Sequence, residues 1–351
     1  MLPLSLAIVC NAFPAGEQAR ALGIWAGISA LALAIGPLAG GALVEIDWRV
    51  IFWINLPVAA VALAITAFAA PESTDPGSGR RVDVPGLVAL TAGLTSVVLA
   101  LVQAQVWGGG VAIALAVFGA VSLYGFWRIE HRSSDPIVDF ALFRNGPYFG
   151  ASAAAFALVG AYWSVMFFQS QYLQDVRGHS AVLSGLLILP ITIPMVFISP
   201  LSGRLIGRFG ARRLMTVGMA IGTLGLVVLT QAGAGSPYAL LLAAYLPFGV
   251  ALGLVYAPMS TAAMAAMPAE KVGIASGVLA MDRVMAGTVA LAATGALSRA
   301  LLDGGSSFAA SIAGSTWILV ALCAVGTWLT WAFVRDIEPP KHDPRHRHSH
   351  L

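Results

Sequence analysis

The run Ala32-Leu33-Ala34-Ile35-Gly36-Pro37-Leu38-Ala39-Gly40-Gly41-Ala42-Leu43-Val44, closed by Glu45-Ile46-Asp47, decides the fold. With the apolar residues before it, the uncharged stretch reaches from about residue 20 to residue 44. That is long enough for a helix across a bilayer, which needs about 20 mostly apolar residues. Ala32, Gly36 and Gly40 recur at every fourth position and share one helix face. Small residues at that spacing let two membrane helices approach closely, and Pro37 removes a backbone donor and favours a bend. The first expectation is therefore a kinked, tightly packed membrane helix.

The rest of the chain repeats that solvent preference. Of 351 residues, 58% are hydrophobic and 10% charged, against about 25% charged in an ordinary soluble domain. So few charges exclude a cytosolic enzyme, a disordered chain and a nucleic-acid binder. Nine further stretches qualify as spans: 49–70, 84–104, 109–127, 146–170, 181–202, 212–232, 236–258, 272–300 and 313–334. Cys10 and Cys323 lie in apolar runs and give neither a disulfide framework nor metal-ligand spacing. Met1 to Phe13 is apolar but too short to span, and it has neither the basic start nor the cleavage site of a signal peptide. It reads as the end of a helix whose beginning lies upstream.

Alternating the loops across the bilayer puts fifteen of the nineteen Lys and Arg residues on one side and three, Arg49, Arg177 and Arg299, on the other. Arg283 remains inside a span. By the positive-inside bias the rich side is cytoplasmic, and with it the C-terminus.

Pro3-Leu-Ser5 followed by Ala12-Phe13-Pro14-Ala15-Gly16-Glu17 resembles Pro258-Met-Ser260 followed by Ala266-Met267-Pro268-Ala269-Glu270. Repeated halves are common in transporters. Pro258 closes the fourth span counted from residue 146, so Pro3 sits near the end of a fourth span in an earlier unit. The expected organisation is the remainder of a first six-helix half (1–70), two linker spans with cytoplasmic loops (71–145), a second six-helix half (146–335) and a cytoplasmic His-rich tail (336–351). The parent is then six, two and six spans, about three and a half of them upstream of Met1. The fold class is all-α, a polytopic transmembrane bundle of about ten complete spans plus a half-span.

These motifs resemble the major facilitator superfamily, in particular its fourteen-span branch of drug–proton antiporters. Gly23, Ala32, Gly36, Pro37, Gly40 and Gly41 look like the antiporter signature of the fifth span, with alanine at 32 where the family has glycine. Trp48-Arg49, Phe52, Ile54-Asn55 and Pro57 resemble the start of the sixth span, and Asp135-Pro136 to Asn145 resembles the lead into the second half. Gly203, Arg204, Arg208, Gly210, Arg212 and Arg213 resemble the second-half cytoplasmic loop motif, with Gly207 where the family often has an acid. The resemblance implies a helix that controls leak in the first case and a conformational latch in the second. It also places a coupling carboxylate and a functional arginine in spans upstream of Met1.

Read from their own chemistry, Gly203, Gly207 and Gly210 permit a tight turn, and the arginines between them can meet helix C-terminal carbonyls or acids. Positive-inside topology alone also accounts for the arginines. Asp282-Arg283 falls near the middle of a span, where an ionisable group costs at least ~2.5–3.5 kcal/mol. The expectation is that Arg283 lines a central cavity while Asp282 neutralises it or takes up a proton; a local structural ion pair is the alternative. Tyr162, Trp163 and Gln169 lie on the 146–170 span, the aromatics suited to flat lipophilic cations, while Tyr172 reads as an interfacial belt residue and Asn55 as a helix–helix hydrogen bond. His342, His346, His348 and His350 read as a polar tail rather than a metal site.

No Walker-type loop supports ATP drive, and no nucleophile, base or metal constellation supports an enzyme. Together these features predict a secondary active transporter without cofactor or metal, exporting small lipophilic or amphiphilic compounds against protons by alternating access. Its partners are the lipid bilayer, a small-molecule substrate and protons, with no nucleic acid and no obligate protein partner. It belongs in the plasma membrane of a bacterium. The alternatives are a metabolite carrier of the same fold or a truncated, non-transporting membrane remnant.

Overall fold

The computed structural model describes residues 28, 31–32, 35–69, 83–107, 109–133, 137–267 and 272–335. The half-span at 1–13, the first copy of the repeat, Gly23, Pro268 to Glu270 and the His-rich tail lie outside them. Among the described residues nine helices are long and apolar enough to cross a membrane, and Ile35–Ile46 forms a shorter apolar helix, α1. The nine are α2 (Val50–Phe68), α3 (Val84–Trp107), α4 (Gly109–Glu130), α5 (Gly146–Gln171), α6 (Ala181–Phe209), α7 (Ala211–Leu229), α8 (Tyr238–Ala265), α9 (Val272–Asp303) and α10 (Phe308–Phe333). All span stretches beyond the first meet a helix of this series.

Inside hydrocarbon every backbone group must be satisfied within the segment, which makes helix the obligatory state of such sequences. This explains why α6 stays one helix through Pro190, Pro194 and Pro200. Pro194 leaves the carbonyl of Pro190 without its helical donor. There α8 comes closest: a methyl on Gly249 would lie 2.9 Å from the Pro190 oxygen and 2.5 Å from that of Ile191. One turn on, the Ser202 hydroxyl donates to the Gly253 carbonyl at 2.8 Å.

α5 is the most enclosed helix. Tyr148, Ala151, Ala154, Ala155, Leu158 and Ala161 are fully buried where it meets α9 and α10. Its two ends are tied down by polar side chains. At one end the Asn145 amide donates to the Ala266 carbonyl (2.9 Å) and the Tyr148 hydroxyl to that of Ala275 (2.9 Å). At the other, the Tyr172 hydroxyl donates to the Gly233 carbonyl at 2.7 Å, and Arg177 reaches the carbonyls of Ala234 and Ser236. Tyr172 is thus a buried tie, not a belt residue, because the 231–237 loop folds over it. Asn55 also departs from expectation: its amide donates to the Ile51 carbonyl in its own turn.

α3 and α4 form a hairpin in which Gly93 admits Leu123 and Gly119 admits Val97, and α3 packs against α9. α6 runs to Phe209, past the expected end at 202, so Gly203 and Gly207 are helical rather than part of a turn. Gly210, at φ 79°, makes the turn alone, since that left-handed backbone is open to glycine at no steric cost.

Candidate functional site

Asp282 and Arg283 sit in the interior of α9, half-buried, and project in different directions, since successive residues on a helix are about 100° apart. Arg283 turns toward α8. Its Nη2 donates to the Ser260 hydroxyl at 2.6 Å, and its guanidinium carbon lies 4.7 Å from the centre of the Tyr256 ring. Its Nε is buried with no hydrogen-bond partner. Asp282 turns toward α5, where its carboxylate lies beside Ser152 and near Tyr148, with Oδ2 buried and without a hydrogen-bond partner. The ion pairs among the described residues are Asp47–Arg49 and Arg299–Asp303. Asp282 and Arg283 therefore do not form the local ion pair that their adjacency suggested, and Asp282 does not neutralise Arg283 by contact. The helix geometry separates them.

Tyr162 and Trp163 approach the same place from α5. Tyr162 is buried, with Tyr256 near enough to act on it electrostatically, and its ring meets Trp163 edge-on at 6.2 Å. Trp163 is half exposed and lies over Gly287, where a methyl would sit 2.8 Å from Cδ1 of the indole. Gly287 is one turn of α9 beyond Arg283, so Tyr162, Trp163, Tyr256, Ser260 and Arg283 make one cluster shared by three helices. Gln169 is not part of it. It is buried two turns further along α5, where its Oε1 accepts from the Tyr245 hydroxyl at 2.6 Å.

The fifth-span motif is in place on a different face. A methyl on Gly41 would meet the Ala181 carbonyl oxygen at 2.5 Å, and one on Gly185 would meet that of Pro37 at 2.5 Å. Pro37 and Gly41 therefore carry the close approach of α1 to α6. Gly36 and Gly40 have nothing within 4 Å of the same construction, and Ala32 is exposed. Among the described residues the contact with α6 thus runs through Pro37 and Gly41, one residue round the helix from Gly36 and Gly40. Glu45 extends this seam: its Oε1 accepts from the Val182 N–H at 3.1 Å, with Ser180 close beside it.

In the basic loop, Arg204, Arg208 and Arg213 are exposed, and Arg208 lies over its neighbour Phe209. Arg212 does what a cation near a helix end is suited to do. Its Nε donates to the Trp331 carbonyl at 2.9 Å in the last turn of α10, with the guanidinium over the Trp331 ring.

Sequence reasoning passed over Tyr256 and Ser152, took Glu45 only as the polar end of a span, and noticed Ser260 as part of a repeat without assigning it to the site. Tyr256 and Ser260 are four apart on one face of α8, a signal that becomes legible once Arg283 is known to need an acceptor and a ring beside it.

The Major Facilitator Superfamily model matches residues 1–290. The multidrug resistance protein Stp of Mycobacterium tuberculosis (strain H37Rv) is 36% identical over 303 residues, covering 85% of this chain and 56% of that protein. The tetracenomycin C resistance and export protein of Streptomyces glaucescens is 30% identical over 300 residues, with the same two coverages of 85% and 56%. The methylenomycin A resistance protein of Bacillus subtilis is 31% identical over 341 residues, covering 95% of this chain and 71% of that protein. The chain thus spans 56% of the length of the first two relatives. Among solved structures, a bacterial homolog to the human lysosomal transporter Spinster, inward-facing and occupied, superposes with a TM-score of 0.55 at 14% identity, covering 95% of this chain and 73% of that one. At that identity the likeness concerns the fold.

Proposed function

The chain belongs to the Major Facilitator Superfamily, and we propose that this multi-pass membrane protein works as a secondary transporter, exporting small lipophilic or amphiphilic compounds in exchange for protons. The resistance and export named for its relatives supports efflux as the direction. The observation that carries the reading is the interior of α9, where a carboxylate and an arginine lie beside aromatic and hydroxyl groups of α5 and α8. Ionisable groups within a membrane span are costly and are retained where they meet a cavity, an ion or a substrate.

In this reading Arg283, Tyr256, Ser260, Tyr162 and Trp163 hold the substrate, and Asp282 is the group that takes up a proton. Its unpartnered Oδ2 is the atom with room for one. Alternating access then rocks the bundle 146–335 against the helices of the first half. The α1–α6 seam, where Pro37 and Gly41 meet Gly185 and Ala181, is the contact along which that movement turns. The 336–351 tail and the basic loops lie on the cytoplasmic side of the plasma membrane of a bacterial cell. No cofactor, enzyme activity or nucleic-acid contact enters the scheme.

The test is dye efflux from cells carrying the gene, with and without a protonophore. Asp282→Asn is expected to abolish proton-dependent efflux while leaving dye binding in place. Efflux indifferent to both the protonophore and Asp282→Asn would refute proton coupling.

A further inference from the structure

We infer that Arg283 makes this site select planar aromatic compounds presenting an oxygen acceptor (a carboxylate, a phenolate or a ring carbonyl) over planar cations. The inference rests on the transporter reading above and specifies its substrate class.

Three observations carry it. The first is that the π-face best placed for a cationic compound is already taken: the Arg283 guanidinium lies 4.7 Å from the centre of the Tyr256 ring. A second cation at that ring meets the first one's repulsion instead of an empty quadrupole. The second is that, among the described residues, no acid makes an ion-pair contact with the guanidinium. Across α5 to α10 the described helices carry two carboxylates, Asp282 and Asp303, both on α9. Asp303 is at the helix end and pairs with Arg299 at 3.5 Å, while Asp282 faces Ser152 on α5 and acts on Arg283 only through space, without touching it. The groups that face Arg283 from α8 and α5 are hydroxyls and rings, with no acid among them.

The third is the state of the arginine's donors. Guanidinium offers five N–H groups in a planar fork and no acceptor. One is used on Ser260, and Nε is buried without a partner. A buried donor left unpaired is an unmet demand for an acceptor. A carboxylate or polarised carbonyl is the group that meets it, with two-point geometry available to an oxygen pair. Trp163, half exposed beside Gly287 and backed edge-on by the buried Tyr162, supplies flat apolar surface for the ring system that carries such an oxygen.

The test is equilibrium binding to the purified full chain in detergent, read by fluorescence anisotropy with two planar probes of opposite charge, fluorescein and ethidium. Fluorescein is expected to bind at least about tenfold more tightly than ethidium, since that is about the worth of one hydrogen bond to a charged group, and ethidium offers the guanidinium no acceptor. Arg283→Gln is expected to weaken fluorescein about tenfold and to leave ethidium unchanged or improved. Arg283→Lys keeps the charge without the fork and should fall between. If Arg283→Gln does not elute as a monodisperse protein, the wild-type order of the two probes and the Arg283→Lys value decide. Ethidium binding more tightly than fluorescein, or fluorescein affinity indifferent to residue 283, overturns the inference and leaves the transporter reading standing. Failure of both probes to bind, together with failure of cells to expel either, overturns that reading as well.

Discussion

Glu45, the penultimate residue of α1, reaches the first turn of α6 and accepts a hydrogen bond from the Val182 N–H at 3.1 Å. The Ser180 hydroxyl beside the same carboxylate, ahead of the Val182 N–H, holds its pKa below the usual glutamate range. An acid near free N–H groups at a helix start is favourably placed. A carboxylate with a lowered pKa keeps its contact at neutral pH and loses it as the pH falls through that lowered value. Cross-linking of a cysteine pair placed at 44 and 183 is therefore expected to slow on acidification. Glu45→Gln should be slow throughout and show no such pH dependence. A wild-type rate flat down to strongly acid pH would count against this.

The row of small residues on α1 gives a sharper contrast. Gly41→Val and Gly185→Val each drive a side chain into a backbone carbonyl of the facing helix, at 2.5 Å already for the first carbon. Neither carbonyl can rotate away without disturbing its helix. Overpacking of this kind costs about 1–3 kcal/mol, so both variants should lose α1–α6 cross-linking and, in cells, efflux. Gly36→Ala and Gly40→Ala add a methyl where nothing lies within 4 Å, and should be silent or slightly stabilising in a thermal melt. Equal damage from all four substitutions would place the packed row elsewhere.

That pair of outcomes also shows what the sequence could and could not say. Period and composition located the spans, because a run such as 146–170 has no other way to satisfy its backbone in lipid. The fourfold spacing found a packing helix, but alanine and glycine sit at 32, 36, 40 and 41 alike. Choosing the row needs the position of α6, which no local pattern encodes. The same limit hid Tyr256, whose role depends on a residue 27 positions later on α9. It also misjudged Gly203 and Gly207: glycine permits a turn, yet both remain helical within α6.

At the base of the α3–α4 hairpin two carboxylates face each other over Gly86. A methyl there would lie 2.8 Å from Asp83 Oδ2 and 3.1 Å from Glu130 Oε1, and neither oxygen has a hydrogen-bond partner. Their other oxygens are used, Asp83 Oδ1 by the Gly86 N–H and Glu130 Oε2 by that of Val138. Glu130→Gln keeps the second bond and turns an N–H toward Asp83. It is expected to raise thermal stability by about 1 kcal/mol, the worth of a typical hydrogen bond. Glu130→Ala loses the Val138 bond and should melt earlier than wild type. Should the amide melt as early as the alanine, the two carboxylates are not in conflict.

Arg212 separates a structural role from a merely topological one in the basic loop. Positive-inside bias is satisfied by any cation, whereas the bond to the Trp331 carbonyl needs a donor at 2.9 Å in the last turn of α10. Arg212→Ala is expected to destabilise the chain by about 1–2 kcal/mol, from a charge-assisted hydrogen bond and a partly exposed cation–π contact. Arg208→Ala removes a cation that lies over its own neighbour Phe209 and should cost well under half as much. Arg212→Lys retains the charge, and hence the topology, but its single ammonium cannot bond the carbonyl and cover the ring as a planar fork does. Its melting temperature should therefore fall between those of the wild type and the alanine variant. If lysine and alanine both match the wild type, the arginines of 204–213 serve orientation in the membrane and nothing more.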